Sequence, residues 1–319
     1  MQKQKLYNTE IEATRIVYGC MNLGNNRNRP ELNDEEMRRE AVKSVNAALE
    51  HGINFFDHAD IYGRGKSEEM FSEIWKVHSG LRDKIIMQSK CGIRFAGEPA
   101  PGTPHRFDFT YEHITNSAEG SLKRLKTDYL DVLLLHRPDP LVRPEEVARA
   151  FDDLHKAGKV KYFGVSNHTA YQIDLLKKYV AQPLVVNQLE LNLIHSDLIN
   201  AGIITNQRQP EAFIRGEGTL EYCRLNDITV QAWSPLALGE FNKEGSELSN
   251  VISEIAGRRN VSSEAIVTAW LLKHPAKIQP VIGTRRPERI AAVCRADSIE
   301  LTREEWYKLF IAGRGEDLP

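Results

Sequence analysis

Tyr129-Leu-Asp-Val-Leu-Leu-Leu-His136, Pro144-Glu-Glu-Val-Ala-Arg-Ala-Phe-Asp-Asp-Leu-His-Lys156 and Lys161-Tyr-Phe-Gly-Val-Ser166 follow one another along the chain. They read as strand, helix and strand. The first and third are short apolar runs of strand length, and the second is amphipathic with helical period. Pro144 and two glutamates suit a first helical turn, and Ala157-Gly158-Lys159 suits an ending, because glycine tolerates the left-handed conformation just past the last turn. Strands joined through a crossover helix lie parallel. Working outward, further short apolar runs occur at 15–20, 54–57, 85–90, 184–189, 229–233 and 279–283. Between and after them lie amphipathic stretches at 33–50, 67–78, 111–125, 170–179, 219–225, a doubled one at 248–273, then 287–295 and 303–311. Eight parallel strands, each followed by a helix, close naturally into a (β/α)8 barrel, whereas an open doubly wound sheet more often uses about six. The 319 residues fit one such barrel with added loops and a C-terminal helix, and no linker or low-complexity run divides residues 1–319.

Composition narrows the function. With 41% hydrophobic and 27% charged residues the chain has a sizeable core and is not disordered. Lysine and arginine number 42 against 44 acidic residues, so no overall basic field exists for a nucleic acid or an anionic membrane. Any anion must be held locally. The start, Met1-Gln-Lys-Gln-Lys, lacks an apolar leader, and apolar runs such as 132–135 fall far short of the ~20 residues that span a bilayer. The expectation is a cytoplasmic protein without membrane or nucleic-acid partners, monomeric or a small homo-oligomer. Cys20, Cys91, Cys223 and Cys294 stand far apart, which argues against a zinc site and a disulfide framework.

In a barrel, functional groups gather where the strands end. Here 54–57 ends in Asp57, 85–90 in Lys90 and 129–136 in His136, so carboxylate, ammonium and imidazole converge. A lysine and an aspartate buried side by side pair, since either alone carries a heavy desolvation cost. Taken singly, these residues also fit a structural salt bridge and a satisfied histidine. Tyr62, shortly after Asp57, points elsewhere. A phenol of ordinary pKa about 10 is a poor donor at neutral pH until a cation stabilises its phenolate, a task Lys90 can perform while Asp57 orients it. His136 can donate to a carbonyl oxygen, giving a general acid and a clamp for developing alkoxide charge.

The run Gly52-Ile-Asn-Phe-Phe-Asp57-His-Ala-Asp-Ile-Tyr62-Gly63 resembles the active-site signature of the aldo-keto reductases. Ser89-Lys90-Cys91-Gly92 resembles that family's lysine strand, and the run from Asp131 to His136 its histidine strand. The resemblance covers essentially the whole chain, is nearest to the bacterial type, and implies a tetrad of Asp57, Tyr62, Lys90 and His136. Gly164-Val165-Ser166-Asn167 resembles the segment that holds a nicotinamide carboxamide, and Asn187-Gln188-Leu-Glu190 the strand whose glutamine joins it. Ala232-Trp233-Ser234-Pro235-Leu236 resembles the segment whose aromatic ring stacks on the nicotinamide and whose next residues approach the pyrophosphate, and Gly19 closes the first strand beside them. After the eighth strand come Gly283-Thr284-Arg285-Arg286-Pro287-Glu288-Arg289 at a helix start, where barrels commonly hold phosphate. Arg285 and Arg289 offer planar forks to a 2′-phosphate, so NADPH (NADP+) is the implied cofactor. The family's usual adenine-contacting pair is replaced by Ala291-Ala292-Val293. The resemblance thus implies NADPH-dependent reduction of a small-molecule aldehyde or ketone with Tyr62 as general acid. Two alternatives share these residues: a cofactor-binding regulatory subunit with little turnover, and an NADP-dependent alcohol or sugar dehydrogenase.

Other motifs lead away from the chemistry. Gly63-Arg-Gly65-Lys66-Ser67 ends like a P-loop, but Asp60 stands where its first glycine belongs, and Glu68 replaces the third glycine of a dinucleotide fingerprint. His58, Asp60 and His136 are conceivable metal ligands, yet Lys90 beside them would repel a divalent cation, so no metal is expected. The segments 94–110 and 192–218 are long excursions that carry no strong pattern.

Overall fold

The computed structural model describes residues 1–24, 32–203 and 218–319. An antiparallel hairpin of β1 (Lys3–Lys5) and β2 (Glu12–Thr14) comes first. The barrel then runs through β3 (Val17–Gly19), β4 (Phe55–Asp57) and β5 (Ile86–Cys91). After a small hairpin of β6 (Ile93–Arg94) and β7 (Arg106–Phe107), it continues through β8 (Leu130–Leu135), β9 (Val160–Ser166), β10 (Leu184–Glu190), β11 (Thr229–Trp233) and β12 (Gln279–Ile282). All neighbouring barrel strands are parallel, and β12 pairs back onto β3 to close the ring. The helices are α1 (Asp34–Glu50), α2 (Lys66–Phe71), α3 (Tyr111–Leu125), α4 (Pro144–Lys156), α5 (Ala170–Lys177), α6 (Asp197–Ile203), α7 (Thr219–Leu225), α8 (Glu247–Arg259), α9 (Ser263–Lys273), α10 (Pro287–Cys294) and α11 (Arg303–Arg314). The (β/α)8 barrel expected from the sequence is therefore the observed fold. None of these helices is long and apolar enough to cross a membrane.

Local chemistry explains the boundaries. Reciprocal capping boxes, Asn33 with Glu36, Thr169 with Gln172 and Thr302 with Glu305, satisfy free N–H groups at the starts of α1, α5 and α11. Asn260 in the left-handed conformation ends α8, and Ser262 caps α9, so the doubled stretch becomes two helices. The helix expected over 67–78 stops at Phe71 and tightens into a 3-10 turn over Ser72–Lys76, where the Trp75 indole donates to Leu125 O at 2.7 Å. The excursion 94–110 contains the β6–β7 hairpin. The excursion 192–218 contains α6, and its residues 204–217 lie outside the described residues.

Because side chains alternate along a strand, every second residue points into the barrel. The lower inward positions, Val17, Phe55, Ile86, Val132, Leu134, Val186 and Val281, pack into one apolar cluster with Leu6 and Ala13 of the N-terminal hairpin, which stops the bottom of the barrel. Gly164 belongs to the same inward series. A Cβ there would meet Val186 O at 2.6 Å and the Leu134 side chain at 2.7 Å, so glycine permits the close packing. Continuing the alternation toward the mouth brings the inward row to Gly19, Asp57, Lys90, His136, Ser166, Gln188, Trp233 and Gly283, with His136 and Gly283 one residue past their strands. Outside, helices cover the strands, as where Phe151 of α4 stacks on Phe163 of β9 with ring centroids 4.0 Å apart.

Candidate active site

Asp57 at the end of β4 and Lys90 near the end of β5 meet at the mouth of the barrel. Lys90 is fully buried, and its Nζ lies 2.7 Å from both carboxylate oxygens of Asp57 and 2.8 Å from His58 O. It also donates to the Tyr62 hydroxyl at 3.1 Å. The phenol oxygen thus accepts from the ammonium, which leaves its own O–H free to donate elsewhere. His136 stands edge-on to Tyr62, centroids 5.9 Å apart, and its Nδ1 is buried without a hydrogen-bond partner. All four expected side chains come together.

The loop that carries Tyr62 explains the misleading glycine-rich motif. Gly63 has φ +58°, and a Cβ on it would meet Gly24 O at 2.7 Å. Ser67 Oγ donates to Met21 O at 2.9 Å and accepts from Gly24 N at 3.1 Å. These residues bring the loop after β3 against the Tyr62 loop, a packing role in place of phosphate binding.

Electrostatics correct one expectation. Burial pushes the Tyr62 phenol above its ordinary pKa; the Lys90 cation pulls it back down but does not win, and Asp57 adds to the rise. Tyr62 is therefore not acidified at rest. The raised pKa keeps its proton in place at neutral pH. Burial opposes the Lys90 charge, yet Asp57 and Tyr62 together more than compensate and hold its pKa above the usual value. His136 is held well below the ordinary imidazole range by burial first, then by Lys90 and Arg137, so its ring is neutral. His58 is wholly buried against Phe71, with both ring nitrogens unpartnered and its pKa driven down to about 3 by burial.

A second group of expected residues adjoins the first. The Trp233 indole donates to Asn167 Oδ1 at 3.0 Å, and Asn167 Nδ2 donates to His136 O at 3.1 Å and Ser166 Oγ at 2.9 Å. Ser166 Oγ donates to Gln188 O at 2.8 Å. After β11 the chain adopts positive φ at Ser234, Ala237 and Leu238, a concentration of strained backbone that marks functional loops. Asn192 anchors this turn through Ser234 O at 3.1 Å, with Pro235 and Leu236 following. On the far side, Asn22 donates to Gly283 O at 2.8 Å, Ser44 Oγ to Arg285 O at 2.8 Å and Arg286 N to Thr284 Oγ1 at 3.3 Å. Arg285 is half-buried with Nη1 shut from solvent and without a partner among the described residues, whereas Arg289 is exposed. The two arginines are not equivalent.

Gln88 and Gln231 escaped the sequence reading. Gln88 Nε2 donates to Asp57 Oδ1 at 2.6 Å and to Gln231 Oε1 at 2.8 Å; Gln188 Nε2 donates to the same two atoms at 3.1 and 2.9 Å. The available signal was a polar residue two positions before Lys90 and before Trp233, and hence on the inward row.

Fold and site together define an oxidoreductase of the (β/α)8-barrel class. The profile of the Aldo/keto reductase family matches residues 15–311, and the chain belongs to that family. A 6-dehydroglucose reductase of Agrobacterium fabrum is 35% identical over 312 residues, covering 97% of each chain. The solved structure of a thermostable aldo-keto reductase, Tm1743, bound to the inhibitor epalrestat superposes with TM-score 0.76 at 25% identity, covering 98% of this chain and 100% of that one. An aldo/keto reductase from Klebsiella pneumoniae, solved with NADP and acetate, superposes with TM-score 0.74 at 23% identity, covering 97% and 94%.

Proposed function

We propose that the protein reduces an aldehyde or ketone to the alcohol with NADPH, and that Tyr62 is the general acid. The observation that carries this reading is the Lys90 ammonium, buried against Asp57 and 3.1 Å from the Tyr62 hydroxyl. When bound, NADPH supplies the hydride to the carbonyl carbon. Tyr62 gives its proton to the carbonyl oxygen, Lys90 stabilises the phenolate left behind, and Asp57 holds Lys90 in place. Neutral His136 donates a hydrogen bond to the same oxygen and fixes its direction.

The residues around the mouth fit the cofactor. Arg285 has a buried guanidinium nitrogen, unpartnered among the described residues, at the start of α10, a donor suited to a 2′-phosphate, with Gly283, Thr284 and the exposed Arg289 beside it. Ser234, Pro235 and Leu236 lie on the strained turn that would face the pyrophosphate. Ser166, Asn167, Gln188 and Trp233 form one hydrogen-bonded set that would hold the nicotinamide ring, with Gly19 at the end of β3 as a further proposed contact. The Agrobacterium relative's name makes a sugar aldehyde a sensible substrate class to include.

The test is NADPH oxidation with 4-nitrobenzaldehyde and a 6-aldehydo sugar, with Tyr62→Phe alongside. Loss of the acid should lower kcat by roughly 10²–10⁴-fold, with NADPH affinity by fluorescence titration nearly unchanged. Turnover in Tyr62→Phe close to that of the parent would remove Tyr62 from the mechanism.

A further inference from the structure

Directly beneath Asp57 the barrel interior is not apolar. Gln88 of β5, Gln188 of β10 and Gln231 of β11 meet there, each 2% exposed or less. Two side-chain amides, those of Gln88 and Gln188, each bridge Asp57 Oδ1 and Gln231 Oε1, forming a closed square of hydrogen bonds. The chain continues through Gln231 Nε2 to Gln279 Oε1 at 3.3 Å and through Gln279 Nε2 to Thr14 O at 2.9 Å. It therefore links the carboxylate to four further barrel strands and to β2 of the N-terminal hairpin. We propose that Gln88 and Gln231 are positioning residues for the reduction: they form an amide clamp that fixes the Asp57 carboxylate and directs part of its charge away from Lys90.

Three observations support this assignment. First, the square is costly as a mere filler, because Gln88 Oε1 is buried with no partner among the described residues, and an apolar layer like the one below it would leave nothing unsatisfied. Second, the loading of the carboxylate is uneven. Oδ1 accepts from Lys90, Gln88 and Gln188, while among the described residues Oδ2 accepts from Lys90 alone. Third, the terminal torsion of an aspartate is soft, so a carboxylate held only by a lysine could turn, whereas two amide donors on one oxygen define its plane. A carboxylate that shares its charge with amides neutralises Lys90 less, and Lys90 then supports the Tyr62 phenolate more.

The proposal rests on Tyr62 as general acid. The charged and titratable groups facing that phenol are Lys90, Asp57, Cys20 and His136, and Gln88 and Gln231 reach it only through Asp57. The experiment is the pH profile of kcat for aldehyde reduction in the full chain carrying Gln88→Leu or Gln88→Glu, with NADPH affinity and thermal melting recorded. Gln88→Leu should lower kcat about tenfold with KM and NADPH affinity nearly unchanged, and should move the alkaline limb to higher pH as the phenol becomes a weaker acid. Gln88→Glu can donate to Asp57 only when protonated, so its turnover should recover as pH falls, a trend that space filling does not produce and that also serves if the leucine variant does not fold. A folded Gln88→Leu protein with parental kcat and an unmoved limb, beside an inactive Tyr62→Phe, overturns the clamp alone. An active Tyr62→Phe overturns the reading beneath it.

Discussion

At Asp57 and Lys90 each charged atom already has a partner inside the protein: four acceptors surround the ammonium, and both carboxylate oxygens are occupied. Across the mouth, Arg285 keeps a buried guanidinium nitrogen that hydrogen-bonds to nothing in the described residues. The difference separates two ways of handling charge. The floor under Tyr62 is preset, which under the proposed mechanism leaves little to reorganise when charge develops on a substrate oxygen. The rim around Arg285 leaves a buried donor unused among the described residues, which the proposed 2′-phosphate contact would occupy.

Removing one side of the preset pair breaks the comparison most severely. Lys90→Met leaves Asp57 as an uncompensated buried charge, and breaking such a pair typically costs about 3–5 kcal/mol of stability. Denaturant unfolding should show that loss, and kcat should fall at least as far as in Tyr62→Phe. A Lys90→Met protein of parental stability and turnover would mean that the floor is not preset.

At the rim the expected effects are smaller and fall on binding. Arg285→Ala should weaken NADPH about 10–100-fold, the scale of a lost charge-assisted hydrogen bond, while NADH binding and the melting temperature change little. Arg289→Ala, on an exposed side chain, should do less. Isothermal titration with both cofactors decides it, and equal losses for NADPH and NADH would separate Arg285 from the 2′-phosphate.

The smallest expected effect is a flat line. His136, driven well below the imidazole range, gains a proton only in acid, and Tyr62, raised by burial, loses its proton only in alkali. Both events lie outside neutrality, so kcat for reduction should hold steady from roughly pH 5.5 to 8 before falling on the alkaline side. An inflection near the ordinary imidazole value would show that His136 works as a cation and that its burial has been misjudged.

Much of this site could be read from the chain because strand ends are informative. Lys90 and Asp57 close apolar runs, and a charge in that place has few roles other than facing the mouth of a barrel. The glutamines were not legible for the converse reason. Gln88 sits inside Ile86-Met87-Gln88-Ser89, where a mid-strand amide reads as an outward residue unless the inward parity is already known. The N-terminal hairpin was missed because Lys3–Lys5 and Glu12–Thr14 are too short and too polar to show a strand pattern; their pairing and the burial of Leu6 and Ala13 come from tertiary packing. Nor could sequence tell the direction in which Tyr62 is shifted, since that depends on burial competing with a cation, and only the folded geometry weighs the two.

The stoppered base of the barrel has a consequence for traffic. With Leu6 and Ala13 packed under Val17, Phe55 and Val132, nothing passes through from below. Under the proposed mechanism, substrate, product and the proton that restores Tyr62 would therefore share the strand-end mouth. A molecule lodged in that mouth would halt arrival, departure and proton supply together, so it need not imitate any substrate to silence the protein, and its potency should not depend on which carbonyl compound is being turned over.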